Sequence, residues 1–180
     1  MHDPKDRPLS RRPEGPSGSD EEALLSSATP PRTLLVALDG SPPSLAAAGY
    51  ALALGVVLGS RLHAVYVDPD GEGDPEPLPE DEGRLHEIPL EGHAVQGIRG
   101  LYLLARAAAQ KGTQVRLWVA RGNIVDGILR TATHVDANAI FMGNTGRSGL
   151  GRLLLGSVAE EVLRRSHLPV TVVRGTSGIS

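Results

Sequence analysis

Five short apolar runs alternate with segments of helical character along most of this chain, and that alternation limits the possible folds more than any other feature. Leu34-Leu35-Val36-Ala37-Leu38 is continuously apolar rather than alternating in polarity, which suits a strand covered on both faces, as in a parallel sheet. Pro42 or Pro43 can open a helix, and residues 44–59, rich in Ala and Leu, continue it. A second strand falls at 61–67. Helical signal returns at 91–111, with Gly112 as its stop. The third strand is 114–120, and Asn123 is placed to cap a helix from 124 to about 135. The fourth strand is 139–143. A helix at 157–165 carries Glu160 and Glu161 in its first turns and Arg164 and Arg165 at its end, an order that complements the helix dipole. The last strand is 169–174. The pattern β-α-β-α-β-α-β-α-β predicts an α/β fold: a doubly wound, five-stranded parallel sheet with right-handed crossovers and helices on both faces.

Such sheets bind ligands beyond the carboxyl ends of their strands, where strand order reverses. Two loops at strand ends stand out. Asp39-Gly40-Ser41 follows the first strand, and a loop with glycines at 143, 146, 149, 151 and 156 follows the fourth. Glycine permits close approach of a ligand to the backbone, and successive N–H groups in such loops form anion-binding nests. Gly156-Ser157 opens a helix, where unpaired N–H groups and the dipole favour phosphate. Arg147 and Arg152 add positive charge, and Ser157 is a candidate N-cap. Two better-known phosphate motifs do not fit. Gly146-x4-Gly151 has nearly the P-loop spacing, but Arg152 and Leu153 replace the Lys and Ser/Thr that the motif requires. In the dinucleotide pattern, Leu154 stands where the third glycine belongs.

Outside the domain at 33–175, residues 1–32 hold six prolines with serines, glycines and mixed charges. They read as a disordered tail, and 176–180 as a short C-terminal tail. Residues 68–90 hold nine acids against one arginine, Arg84, and five prolines, and read as a mobile acidic loop. Asp70, Asp74, Glu76 and His86 are conceivable metal ligands there, but no spacing matches a calcium or zinc site. A formal net charge of −3 is too near neutral for a general nucleic-acid binder. No run approaches membrane-spanning length, and no signal peptide is evident, so the expectation is a cytoplasmic protein. With no cysteine, disulfides and thiol chemistry are excluded.

The glycine pattern that does fit is Gly143-x2-Gly146-x9-Gly156-Ser157. Together with LLLGSVAEEVLRR, the closing LPVTVVRG and the opening LLVALDGS, it resembles the ATP-binding type of the universal stress protein family over about residues 33–175. The resemblance implies a Rossmann-like sheet of strand order 3-2-1-4-5, with ATP as ligand, with or without magnesium. It places Asp39 on the adenosine, Ala37 and Val67 along the adenine, and Met142 and Gly143 beneath the nucleotide. Gly146, Gly156, Ser157 and Val158 fall on the phosphates. It also implies a homodimer through the edge strand at 169–174. The departures from the family are the tail and the acidic insert.

Catalytic candidates are weak. His63 lies inside a strand pattern and reads as packed. His134 and His167 flank helix ends, no serine sits in a nucleophile elbow, and no general base is poised for a γ-phosphate, so hydrolysis is expected to be slow at most. The leading expectation is a nucleotide-dependent regulatory protein of the stress response. The alternative is a nucleotide-free dimeric scaffold acting through protein partners, as in family members that lack the glycine motif. A slow ATPase or phosphotransferase is a third reading.

Overall fold

The computed structural model describes residues 18–27, 29–79, 93–145 and 155–175. The chain divides into two units, Met1–Pro30 and Pro31–Ser180. The first carries a helix, α1, at Gly18–Ser26, inside the segment expected to be without order. Its first turns are acidic, with Glu21 and Glu22 favoured by the positive end of the helix dipole, and Ala23 and Leu25 are strong helix formers.

In the second unit the elements run β1 (Thr33–Ala37), α2 (Pro42–Leu58), β2 (Arg61–Asp68), β3 (Gly73–Pro77), α3 (His93–Gln110), β4 (Val115–Arg121), α4 (Ile124–His134), β5 (Ala139–Gly143), α5 (Ser157–Arg165) and β6 (Val170–Val173). They form one six-stranded sheet of order β3-β4-β2-β1-β5-β6. All pairings are parallel except β3 with β4. Without β3, the five parallel strands stand in the expected order 3-2-1-4-5, so β1 and β5 are neighbours at the point of reversal.

The sixth strand corrects the expectation of five, and it lies within the acidic stretch expected to be a loop. β3 pairs antiparallel with β4 at Gly73 with Arg121, Glu76 with Val119 and Pro77 with Trp118, with an irregularity between Gly73 and Glu76. Its sequence, GDPEP, lacks the apolar pattern of a strand. An edge strand tolerates this, because proline's missing N–H can face away from the ladder. The Arg121 guanidinium holds Glu76 at 3.1 Å, and Arg130 on α4 donates to the backbone oxygens of Gly73 and Arg121.

Side chains of each parallel strand alternate between two apolar layers, as the two-residue repeat requires. Leu34, Val36, Ala64 and Tyr66 face α2 and α3. Leu35, Ala37, Val65 and Val67 face α4 and α5. Leu34, Leu35 and Val36 have no exposed surface, and burying each such side chain contributes about 1.5–3 kcal/mol. Helix ends follow their local chemistry. α2 starts at Pro42, one of the two prolines expected to open it, because Ser41 caps it and proline is preorganised for the first helical positions. It stops at Gly59, whose φ of +66° is left-handed. Asn123 caps α4 through the amide of Asp126. Among the described residues, no helix is long and apolar enough to cross a membrane.

Candidate functional site

A cavity of about 790 Å³ opens beyond the carboxyl ends of β1 and β5, at the reversal of strand order. Ala37, Asp39, Val67, Met142, Gly143, Gly156, Ser157 and Val158 all line it. The ninth residue read from the sequence, Gly146, lies outside the described residues, as do Arg147, Gly149, Gly151 and Arg152 of the same loop. Sequence reasoning missed Val65, Ile124, Ile128 and Leu155, which make its walls strongly aliphatic, and also Ser44, Asn144 and Thr145. Val65 was accessible through the strand period, two residues before Val67. Ile124 and Ile128 are one helical turn apart just after the cap Asn123, but nothing local aims them at β1.

Three helices begin at the cavity, and their N-termini differ in what they can still offer a ligand. The first amides of a helix have no partner within it. In α2, Pro42 and Pro43 have no N–H, the amide of Ser44 donates to Ser41 Oγ at 3.4 Å, and that of Leu45 to Ser41 O. In α4, the side chain of Asn123 accepts from Asp126 and its backbone from Gly127, which leaves the amides of Ile124 and Val125. In α5 the cap is Gly156, whose φ and ψ of −71° and 153° nearly repeat the −71° and 154° of Ser41. Glycine has no side chain to cap with, and the first helical bond is from Glu160 to Gly156 O. The amides of Ser157, Val158 and Ala159 therefore have no partner within the helix, and all three residues line the cavity. This corrects the expected N-cap: Ser157 is the first residue of the helix, and Gly156 is the cap.

Asp39 is half-buried, and its Oδ1 accepts the amide of Ser41 at 3.0 Å. It thus forms the turn that leads into α2 while standing at the cavity wall. Gly143 has a structural reason for being glycine besides lining the cavity. A Cβ there would lie 2.8 Å from the backbone of Pro43 and of Ser44, too close for any side chain. Gly156 is less constrained, its Cβ position lying 3.2 Å from Asn144 O.

Among the described residues, no histidine lines the cavity. His63 is buried, as expected of a packed residue. Of the possible metal ligands in the insert, Glu76 is paired with Arg121, and His86 lies outside the described residues. Among the described residues, no group of three His, Cys, Asp or Glu could hold a metal ion.

Fold and site together define a doubly wound α/β domain with a cavity at its switch point, bounded by an aliphatic wall, an acid after β1 and, after β5, a helix N-terminus without a side-chain cap. Comparison with known proteins gives this class its family. The model described as "Universal stress protein family" matches residues 31–174, and the chain belongs to that family. A universal stress protein of Methanocaldococcus jannaschii is 30% identical over 151 residues, covering 79% of this chain and 82% of the relative. One of Bacillus subtilis is 31% identical over 150 residues, covering 78% and 97%. Among solved structures, a universal stress protein in complex with cAMP superposes with a TM-score of 0.54 at 24% identity, over 82% of this chain and 100% of the other. A family member from Arabidopsis thaliana with AMP bound gives 0.56 at 16%, over 82% and 94%. The Archaeoglobus fulgidus protein in complex with dAMP gives 0.55 at 19%, over 81% and 99%.

Proposed function

We propose that the cavity binds an adenine nucleotide, ATP in preference to the others, and that the bound nucleotide acts as a regulatory ligand with slow hydrolysis at most. One observation carries the reading: Ser157, Val158 and Ala159, whose amides have no partner within α5, line the same cavity as Asp39 and the aliphatic wall of Val65, Val67, Ile124 and Ile128. Backbone donors at a helix start suit phosphate, a mainly apolar wall with a few fixed polar groups suits a small-molecule ligand, and Asp39 brings to the cavity wall a carboxylate, the kind of acceptor that a ribose hydroxyl suits. Phosphate then lies at α5 rather than α2, because α2 begins with two prolines and a serine cap. The solved relatives bound to cAMP, AMP and dAMP support the adenosine half of the reading. The glycine loop and the α5 amides support a longer phosphate chain, with magnesium as its companion.

Calorimetric titration with ATP, ADP, AMP and cyclic AMP, each with and without magnesium, tests this directly. Binding of ATP ahead of AMP is expected. Absence of binding by any of them at millimolar concentration contradicts it and favours a scaffold that acts through partners. The functional unit we propose is a homodimer joined through β6, which stands at the end of the sheet opposite β3, with the four residues of Val170–Val173 only half-buried. An open apolar edge of this kind invites pairing with its copy.

A further inference from the structure

The turn that carries Asp39 rests on the backbone of α3. Gly40 has a φ of +80°, and a Cβ there would lie 2.5 Å from the carbonyl oxygen of Gln96. One helical turn on, a Cβ at Gly100 would lie 2.4 Å from Leu38 Cδ2 and 3.2 Å from Gly40 Cα. Leu38 is buried and has little room to yield. Between them, a Cβ at Gly97 would lie 2.1 Å from the Tyr66 ring. α3 therefore meets the turn at Leu38, Asp39 and Gly40 with glycine against glycine. It cannot simply withdraw, because Ile98 and Leu101 are buried in the core and the Tyr102 hydroxyl donates to Pro79 O at 3.0 Å.

We infer that α3 is the support that aims Asp39 into the cavity, and that Gly100 is a positioning residue of the nucleotide site. This rests on the reading of that cavity as a nucleotide site. Asp39 is fixed on one side by its bond to the Ser41 amide and on the other by the approach of α3 to Leu38 and Gly40. A methyl group at position 100 pushes the turn away from α3, and Asp39 moves with it.

The test is a double-mutant cycle between Gly100→Ala and Asp39→Asn, read by ATP affinity and by hydrogen exchange at the Ser41 amide. Gly49, which has no atom within 4 Å of its Cβ position, supplies the control Gly49→Ala. The expected results are an affinity about tenfold weaker in Gly100→Ala, the scale of one charge-assisted hydrogen bond, and faster exchange at Ser41. The Asp39→Asn penalty shrinks in the Gly100→Ala background, because the carboxylate is already misplaced. Leu38→Val, which removes the clashing Cδ2, restores most of the affinity, and Gly49→Ala leaves ATP affinity and the local opening at Ser41 unchanged. Should Gly100→Ala fail to fold, the Leu38→Val pair with and without it carries the same comparison. Unchanged affinity and unchanged Ser41 exchange in Gly100→Ala overturn the inference, as do fully additive penalties. If the wild type binds no adenine nucleotide, the functional reading falls, while Ser41 exchange still decides whether Gly100 positions the turn.

Discussion

Trp118 Nε1 donates a 3.0 Å hydrogen bond to His63 Nδ1 in the layer beneath α4. That acceptor exists only while Nδ1 is unprotonated. Burial first, then the positive charges of Arg116 and Arg61, hold the His63 pKa below its ordinary 6.5. A folded-state pKa below the unfolded one means that the unfolded chain binds the proton more tightly. The stabilisation is therefore fully present above the unfolded value of 6.5 and is lost as pH falls from there through the lower folded value. His63→Gln keeps an acceptor for Trp118 but does not titrate. Thermal melts from about pH 7 to about pH 5 should show the wild type losing more stability than His63→Gln across the histidine range. Equal losses would show that the buried histidine is not the acid-sensitive group.

Glycines in this chain separate into those that packing requires and those that it does not. Gly143→Ala places a methyl against the backbone of Pro43 and Ser44, so destabilisation of about 1–3 kcal/mol is expected. Gly49→Ala, on an exposed face of α2 with open space around it, should stabilise by about 0.5–1 kcal/mol. Denaturant titration of both variants checks the contrast. A neutral Gly143→Ala would mean that β5 and the start of α2 pack less closely than described.

Removing the cap of α4 tests how firmly the aliphatic wall is held. Asn123→Ala deletes the acceptor for the Asp126 amide, at a cost of about 0.5–2 kcal/mol. Because Ile124 and Ile128 line the cavity on the first turns of that helix, nucleotide affinity should fall along with the melting temperature. A stability loss with unchanged affinity would place the adenine away from α4.

The proposed β6 pairing predicts a dimer mass by sedimentation at micromolar concentration. A monomer at that concentration contradicts it.

The central parallel strands were legible in the sequence because each, buried on both faces, must be apolar nearly throughout, as Leu34 to Leu38 and Ala139 to Met142 are. β3 was not legible. Asp74 and Glu76 face outward from an edge, Pro75 is its buried residue, and its order comes from pairing with β4 and from Arg121 and Arg130. α1 was hidden by its proline-rich and serine-rich surroundings, although its acids and leucine pair favour a helix. At the site, Asp39 and the glycine pattern could be read locally. The identity of the α5 cap could not, because Gly156 and Ser157 both suit a helix start and only the backbone angles distinguish them. The close approach of Gly143 to Pro43, and of Gly100 to Leu38, joins residues far apart in the chain and leaves no local pattern.

The measurement that bears most directly on the nucleotide site is the ratio of ATP to adenosine affinity in the wild type and in Ser157→Pro. Gly156 already has the extended backbone that proline requires of its predecessor, and proline is tolerated at the first helical position, as Pro42 is in α2. The substitution thus removes the amide and hydroxyl donors of Ser157 and leaves the helix in place, and Ser157→Ala, which removes the hydroxyl alone, separates the two. If phosphate rests on the start of α5, ATP affinity falls about tenfold while adenosine affinity holds, and the ratio narrows. A ratio unchanged in a folded Ser157→Pro protein would contradict phosphate binding at α5.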